Sequence, residues 1–275
     1  MNVFNLTRPS VKEAPVLVEV PHAGLAVPDP VRDEISVSDD AIQRDADIYV
    51  DKLYQDAPLQ GATLLTANVS RYVVDLNRAP DDVDRATVPD HPSPRAHQPR
   101  GVVWSVTTDG RAALRKPLTY AQLVKRLQMF HTPYHETLTA ELDRLRAKFG
   151  FAILLAGHSM PSVGRAGHTD PGSRRADVVP GTQGRTTADA MVIDLVDAHF
   201  REAGLSVVHD DPYKGGFTTQ YYGRPDRDQH AIQIELNRDL YVNEATGEPK
   251  KNEFAELQAV LASLVGKLGT LRLNG

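Results

Sequence analysis

Apolar runs alternate along the chain with segments in which apolar residues recur every three or four positions. A short apolar run between turn residues predicts a buried strand, whereas the three-to-four spacing predicts a helix. The runs predict strands at 15–20, 63–67, 69–76, 102–107, 151–156, 205–209 and 231–236. The helical spacing predicts helices at about 39–57, 119–132, 134–149, 187–203 and 252–268. This alternation predicts one α/β domain, residues 1–275, with a mixed or mostly parallel central sheet.

Single residues predict where several of these helices begin and end. Thr119 and Gln122 have the spacing of a capping box, which opens a helix. Pro133 predicts a break or kink, because proline cannot donate the hydrogen bond that a helix interior requires. Gly204 predicts a helix end, and Asn252 is the expected N-cap of the last helix.

Two long irregular segments, 79–100 and 160–185, follow predicted strands. The first contains five prolines, and the second is rich in Gly, Pro, Arg and Asp. Long loops in a compact domain are usually functional, and ligands of open α/β sheets bind at the carboxyl ends of strands. We therefore expect both segments to be active-site loops.

Composition excludes several classes of protein. The 31 Lys and Arg residues against 36 Asp and Glu give a net charge of −5, which argues against a nucleic-acid binder. The absence of cysteine excludes disulfides, thiolate ligands and a cysteine nucleophile, so His, Asp, Glu or water must hold any metal. No apolar run is long enough for a membrane span, and the N-terminus does not resemble a secretion signal, so a cytoplasmic protein without membrane contact is expected.

The most informative polar residues lie at or just after predicted strands. They are His22, the pair Asn77 and Arg78, His158, and Glu235. Such strand-end residues can meet at one edge of the sheet. Two histidines and a carboxylate form the usual open zinc site, although each histidine taken singly is as well explained by a structural hydrogen bond.

A third metal ligand is sought in the segment Arg44-Asp45-Ala46-Asp47. On a helix, Asp47 shares a flank with apolar residues and lies at the buried edge, whereas Asp45 and Asp51 look more solvated. The competing interpretation for all three is a surface charge on a helix.

Glu235 alternates with isoleucines in the segment 232–236, so it shares one face of the strand with Gln233. A carboxylate in an apolar strand is costly unless it is paired or used. Beside zinc its best use is as general base for a water molecule that the metal activates. The alternative is a glutamate on an exposed sheet face.

Several basic residues could bind an anionic substrate. Arg78 can bind a carboxylate through two hydrogen bonds or stabilise an oxyanion, and Arg71, Arg165 and Lys214 could add positive charge. Lys214 opens the segment KGGFTT, which includes Thr218 and whose glycines suit a close approach to a ligand. The competing interpretation is that each is a solvated surface residue.

The order of these motifs resembles the N-formylglutamate amidohydrolase family over residues of about 15 to 245. The resemblance is carried by PHAG at 21–24, RDAD at 44–47, SRYVVDLNR at 70–78, YH at 134–135, GHSM at 157–160, KGG at 214–216 with YG at 222–223, and HAIQIEL at 230–236. Each motif is weak alone, and their combination is specific.

That resemblance implies a phosphorylase/hydrolase-like three-layer α/β sandwich and one zinc ion per chain, with other divalent ions possible. Carried over by position, the ligands would be His22, Asp47 and His158, with Asn77 and Arg78 engaging the substrate and Glu235 acting as base. The chain departs from the related carboxypeptidase pattern, because Leu25 stands where a second, acidic ligand would be expected. His135 belongs to a family motif, with a supporting or a structural role left open.

Three functions follow as hypotheses. The first is hydrolysis of N-formyl-L-glutamate, a small anionic substrate, to formate and L-glutamate in histidine degradation. A related zinc deacylase acting on another N-acyl amino acid or amide is the second. The third is a non-catalytic protein that binds an acidic ligand through its arginine-rich loops. The oligomeric state does not follow from the sequence.

Overall fold

A computed structural model describes residues 2–95 and 100–273. Its core is a six-stranded sheet with the order β1-β3-β2-β4-β6-β5. The strands of this sheet are β1 (Phe4–Thr7), β2 (Val16–Val20), β3 (Thr63–Ala67), β4 (Ala152–Met160), β5 (Val178–Gly181) and β6 (Gln229–Asn237). The four central strands run parallel, and the edge strands β1 and β5 are antiparallel to their neighbours. A small hairpin, β7 (Val242–Asn243) with β8 (Glu248–Pro249), lies apart from this sheet.

Helices cover both faces of the sheet. They are α1 (Asp29–Arg32), α2 (Asp39–Asp45), α3 (Val50–Leu53), α4 (Tyr120–Arg126), α5 (Thr132–Phe149), α6 (Ala190–Glu202), α7 (Phe217–Tyr222) and α8 (Lys251–Thr270). One apolar core joins alternate residues of β2 to α3, α6 and α8, and a second core on the opposite face joins the sheet to α4 and α5. The predicted three-layer α/β fold with a mostly parallel sheet is confirmed.

The apolar run at 151–156 is the clearest strand pattern in the sequence, because β4 is buried on both faces of the sheet. All nine of its residues are buried, and the central strands of parallel sheets read as continuous apolar runs for this reason. No helix of the described residues has the length and apolar character that crossing a bilayer requires.

Three predicted strands are wrong. Segment 69–76 is made of turns, and its only β contact with the described residues is a bridge at Val69. Segments 102–107 and 205–209 likewise form only isolated bridges within the described part of the chain. The residues Tyr72, Val73, Val74 and Leu76 are nevertheless buried in the second core. An apolar run indicates burial but not the backbone conformation, and here the buried segment is irregular.

The predicted helix over 39–57 is also wrong, because it is divided into α2 and α3. Tyr49 adopts a left-handed conformation, with φ at 64°, between the two helices. The backbone N–H of Asp47, in the same gap, donates to the carbonyl of His22 at 3.0 Å. The break therefore fastens the Asp47 segment to the turn that follows β2.

Several boundaries can be checked directly. The capping box of Thr119 and Gln122 is present, and Gly204, with φ at 80°, lies just after α6. Pro133 lies in the first turn of α5, directly after a π-helical segment at Leu127–His131. The prediction of Asn252 as N-cap is wrong, because α8 begins at Lys251. The loop predicted at 160–185 contains β5, and residues 96–99 of the other loop lie outside the described residues.

Candidate active site

The predicted site residues meet at the carboxyl ends of the central strands, around a cavity of about 320 Å³. His22 follows the end of β2, and His158 of β4 lies directly opposite Glu235 of β6 in the parallel register. Of the predicted residues, the cavity is lined by His22, Asp47, Arg71, Asn77, Arg78, His158, Arg165, Lys214 and Glu235. Residues that are far apart in the sequence are thus brought to one edge of the sheet.

Three of these side chains are arranged as metal ligands. One donor atom from each of His22, Asp47 and His158 lies within 4.8 Å of the other two, and all three residues are buried. Oδ2 of Asp47 lies 3.0 Å from Nδ1 of His158 and 3.5 Å from Nδ1 of His22. Nδ1 of His22 has no hydrogen-bond partner among the described residues. A buried nitrogen without a partner beside a carboxylate and a second imidazole fits a cation such as zinc.

Asp75 fixes the opposite edge of the His22 ring. Its Oδ1 lies 2.6 Å from Nε2 of His22 and accepts the backbone N–H of Asn77 at 2.9 Å. Its Oδ2 accepts from Arg71 at 3.2 Å and from the indole of Trp104 at 2.9 Å. A carboxylate in this position orients a ligand histidine and leaves Nδ1 for the metal. The sequence contains a signal for Asp75, an acid inside the apolar run VVDL.

Electrostatics at the trio favour a cation. Burial and Arg71 lower the pKa of His22, but the carboxylates of Asp75 and Asp47 outweigh them, so the pKa is raised. Burial raises the pKa of Asp47, but the hydrogen bond with His158 and the nearby charges of His22 and Arg71 more than reverse this effect, so the pKa lies well below the usual range. Asp47 is therefore held as a carboxylate.

Glu235 is a buried carboxyl group beside the trio. Burial and the negative charge of Asp47 together raise its pKa to about 7, although His158 and Arg71 oppose the shift. Nε2 of Gln233 donates to Oε1 of Glu235 at 2.9 Å. The two residues share one face of β6, as the alternating pattern predicted, and the alternative of an exposed sheet face is wrong because Glu235 is buried.

The carboxamide of Asn77 is held by protein on both ends. Its Nδ2 lies 3.2 Å from Nε2 of His158 and donates to Gln233 at 3.1 Å. Its Oδ1 accepts from the backbone N–H and the hydroxyl of Thr218, at 3.0 and 3.1 Å. Thr218 is fully buried and is not among the residues that line the cavity. This position does not fit the predicted contact with substrate. Thr218 instead holds the carboxamide of Asn77 through two hydrogen bonds.

Gly216 passes directly over this carboxamide. A Cβ atom at position 216 would lie 2.3 Å from Nδ2 of Asn77, closer than two non-bonded atoms can approach. The glycine pair in KGGFTT thus allows a close backbone approach, as expected, but to Asn77.

Two histidines hold the turn that carries Asn77 and Arg78. Nε2 of His131 lies 3.0 Å from the carbonyl of Arg78, and Nε2 of His135 lies 3.0 Å from the carbonyl of Leu76. A carbonyl only accepts, so both nitrogens donate. Burial lowers both pKa values, that of His135 to about 3. His135 thus contacts the turn through Leu76, and its Nδ1 lies 3.0 Å from the hydroxyl of Tyr222.

The basic residues divide into two groups. Among the described residues, the side chains of Arg78 and Lys214 line the cavity without a hydrogen-bond or ion-pair partner. Arg71 pairs with Asp75, and its guanidinium lies 4.4 Å from the centre of the Trp104 ring. Arg71 is therefore already engaged within the protein.

Arg165 is engaged as well, because it pairs with Asp45 at 3.1 Å. The prediction that Asp45 is solvated is wrong: it is buried and also accepts hydrogen bonds from Tyr72 and Thr108. Asp51, the other acid expected in solvent, is partly buried. Helical spacing predicted that Asp45 is exposed, but residues of distant loops, Thr108 and Arg165, cover it.

Sequence reasoning missed further residues of the cavity wall. They include Asp75, Arg100, Trp104, His168, Gln233 and Arg238. Arg238 donates to the carbonyls of Arg44 and Ala46, at 3.0 and 2.8 Å, and so holds the segment that carries Asp47. Only Gln233 and Asp75 have a sequence signal, a polar group inside an apolar run.

Fold and site together define a class of protein, a hydrolase that acts on an amide. Two curated relatives are N-formylglutamate deformylases, from Pseudomonas putida and Pseudomonas aeruginosa PAO1, and each is 33% identical to this chain over 92% of both lengths. The crystal structure of N-formylglutamate amidohydrolase from Ralstonia eutropha JMP134 superposes with a TM-score of 0.88 at 30% identity, covering 98% of each chain. The family model described as N-formylglutamate amidohydrolase matches residues 14–242. The chain belongs to the N-formylglutamate amidohydrolase family.

Proposed function

We propose that this protein hydrolyses N-formyl-L-glutamate to formate and L-glutamate, as a step of histidine degradation, with one zinc ion held by His22, Asp47 and His158. The observation that carries the proposal is the buried trio of potential ligands beside Glu235. The names of the relatives support the substrate.

The protein prepares the metal site in advance. Asp75 accepts from Nε2 of His22, which leaves Nδ1 of that ring for the metal. Nδ1 of His158 lies 3.0 Å from Oδ2 of Asp47, so both rings direct Nδ1 toward the same carboxylate. When bound, a zinc ion supplies Lewis acidity to the amide carbonyl and acidifies a water molecule in the site.

Glu235 is the proposed general base. It accepts a proton from the attacking water as the new C–O bond forms. It then returns this proton to the amine nitrogen as the C–N bond breaks, so that formate and L-glutamate leave. The hydrogen bond from Gln233 holds Oε1 in place, which leaves Oε2 for the proton. A buried carboxyl group within reach of the reacting atoms can serve first as base and then as acid.

The substrate carries two carboxylates, and the cavity contains cations to match. Arg78 and Lys214 are free of protein partners among the described residues, so they are proposed to bind these carboxylates. Arg71 and Arg165 contribute to the positive potential of the wall while remaining paired with aspartates. Asn77 is proposed to contact the substrate from the same turn as Arg78.

Formate release from N-formyl-L-glutamate tests the proposal. A chelator is expected to abolish it, and zinc is expected to restore it. Glu235→Gln should keep one bound metal per chain while turnover falls by about two to four orders of magnitude. Glu256→Gln, on an exposed part of α8, is the matched control. The proposal fails if release persists without metal, or if matched N-acetyl-L-glutamate is the better substrate.

A further inference from the structure

His168 lies in the loop between β4 and β5 and belongs to the wall of the cavity. It has no part in the reaction proposed above. The loop that carries it is well defined: Gly164 donates to the carbonyl of Ser173, and Arg175 donates to that of Ser162. The imidazole therefore occupies a fixed position beside the cavity.

Hydrogen bonding determines which nitrogen of His168 carries the proton. The backbone N–H of Arg165 lies 3.1 Å from Nδ1, and Nη2 of Arg175 lies 2.8 Å from the same atom. Neither a backbone N–H nor a guanidinium can accept a hydrogen bond. Nδ1 must therefore be the acceptor, and the single proton of the neutral ring lies on Nε2.

The surrounding charges keep this ring neutral. Burial and the cations of Arg175, Arg165 and Arg100 together lower the pKa of His168 to about 4, although Asp170 opposes the shift. The Nε2–H group is consequently present, without a positive charge, throughout the neutral pH range.

The Nε2–H group has no acceptor among the described residues, although Nδ1 has two donors. Arginines line the same part of the cavity: Arg100 donates to the carbonyl of the neighbouring Gly167, and Arg165 is also a lining residue. A wall that offers several donors is complemented by an anionic oxygen from a ligand. A carboxylate is the anionic group of the substrate proposed above.

We propose that His168 is a specificity residue whose Nε2–H donates to one carboxylate of the N-formyl amino acid. This inference rests on the proposed deformylase function. It assigns His168 a contact with bound substrate, and it leaves the proton transfers to Glu235.

Two substitutions separate the two edges of the ring. In His168→Asn the side-chain oxygen can replace Nδ1 as acceptor for Arg165 and Arg175, while the Nε2–H donor is lost. In His168→Gln the longer amide can replace the Nε2–H donor. A hydrogen bond to a charged group predicts a rise in KM of about 10-fold to 100-fold for His168→Asn with nearly unchanged kcat, and partial rescue by His168→Gln. His209→Asn, outside the cavity, is the control.

Substrate analogues identify the acceptor. N-formyl-L-glutamine lacks the side-chain carboxylate, and 4-formamidobutanoate lacks the α-carboxylate. The KM penalty of His168→Asn should disappear for one of them and remain for the other. It should also be constant between about pH 6 and about pH 9, because the ring does not titrate there.

An unchanged KM, an equal penalty for all three substrates, or a fall in kcat alone would overturn the assignment of His168. Equal melting temperatures and metal contents of wild type and His168→Asn exclude a folding defect. If the wild-type protein does not release formate from N-formyl-L-glutamate, the proposed function fails, and the carboxylate contact fails with it.

Discussion

Replacing Asp75 with asparagine tests whether the site is pre-organised for metal. The carboxylate accepts from His22 and the backbone of Asn77 on Oδ1, and from Arg71 and Trp104 on Oδ2. An asparagine provides one oxygen, so its NH₂ group must face two donors. If the NH₂ group replaces Oδ2, the lost bonds to a charged and a neutral donor cost about 3 kcal/mol of unfolding free energy.

The metal affinity should fall as well, because His22 loses the negative charge behind its ring. Removal of such a supporting carboxylate typically costs about 10-fold to 100-fold in metal affinity. Competition with a chromophoric chelator measures the affinity, and urea denaturation measures the stability. Asp143→Asn, which breaks an exposed pair with Arg146, should change neither. A folded Asp75→Asn protein with wild-type zinc affinity would refute the pre-organisation of His22 by Asp75.

Three further outcomes follow from the structure. Gly216→Ala should lower kcat by about 100-fold because the new Cβ displaces Asn77, whereas Gly266→Ala in α8, which meets only a flexible side chain, should leave kcat unchanged. Leu138→Ala, on the buried face of α5, should lower the free energy of unfolding by about 2–5 kcal/mol, as measured by urea denaturation. Burial raises the pKa of Glu19, so the stabilisation from its bound proton is present below the ordinary glutamate pKa and is lost as pH rises through the raised value. Glu19→Gln should therefore gain melting temperature relative to wild type on the alkaline side, and equal shifts at acidic and alkaline pH would contradict this.

The sequence predicted the fold class and the meeting of the two histidines because both depend on strand ends. His22 and His158 follow or end apolar runs, and parallel strands bring such positions to one edge. Asp47 was predicted to be buried from a helical flank, and it is buried, but it lies in the gap between α2 and α3. Its burial comes from the hydrogen bond to the His22 turn and from Arg238.

Other features depend on contacts that no local spacing encodes. The buried turns of 69–76 resemble a strand because only burial is visible in an apolar run. Asp45 looked solvated on its helix, but Thr108 and Arg165 arrive from distant loops to cover it. The neutral tautomer of His168 likewise depends on donors that only the folded loop supplies.

The pairing of His158 with Glu235 across adjacent strands has a consequence for how this enzyme can diversify. Main-chain hydrogen bonds hold neighbouring strands about 4.8 Å apart. The distance between the backbones of these two residues is therefore set by the sheet and not by their side chains. Lys214 and His168, in contrast, project from loops. On the proposed function, exchanging those loops would change which acylated amino acid is bound and would leave His158 and Glu235 in place.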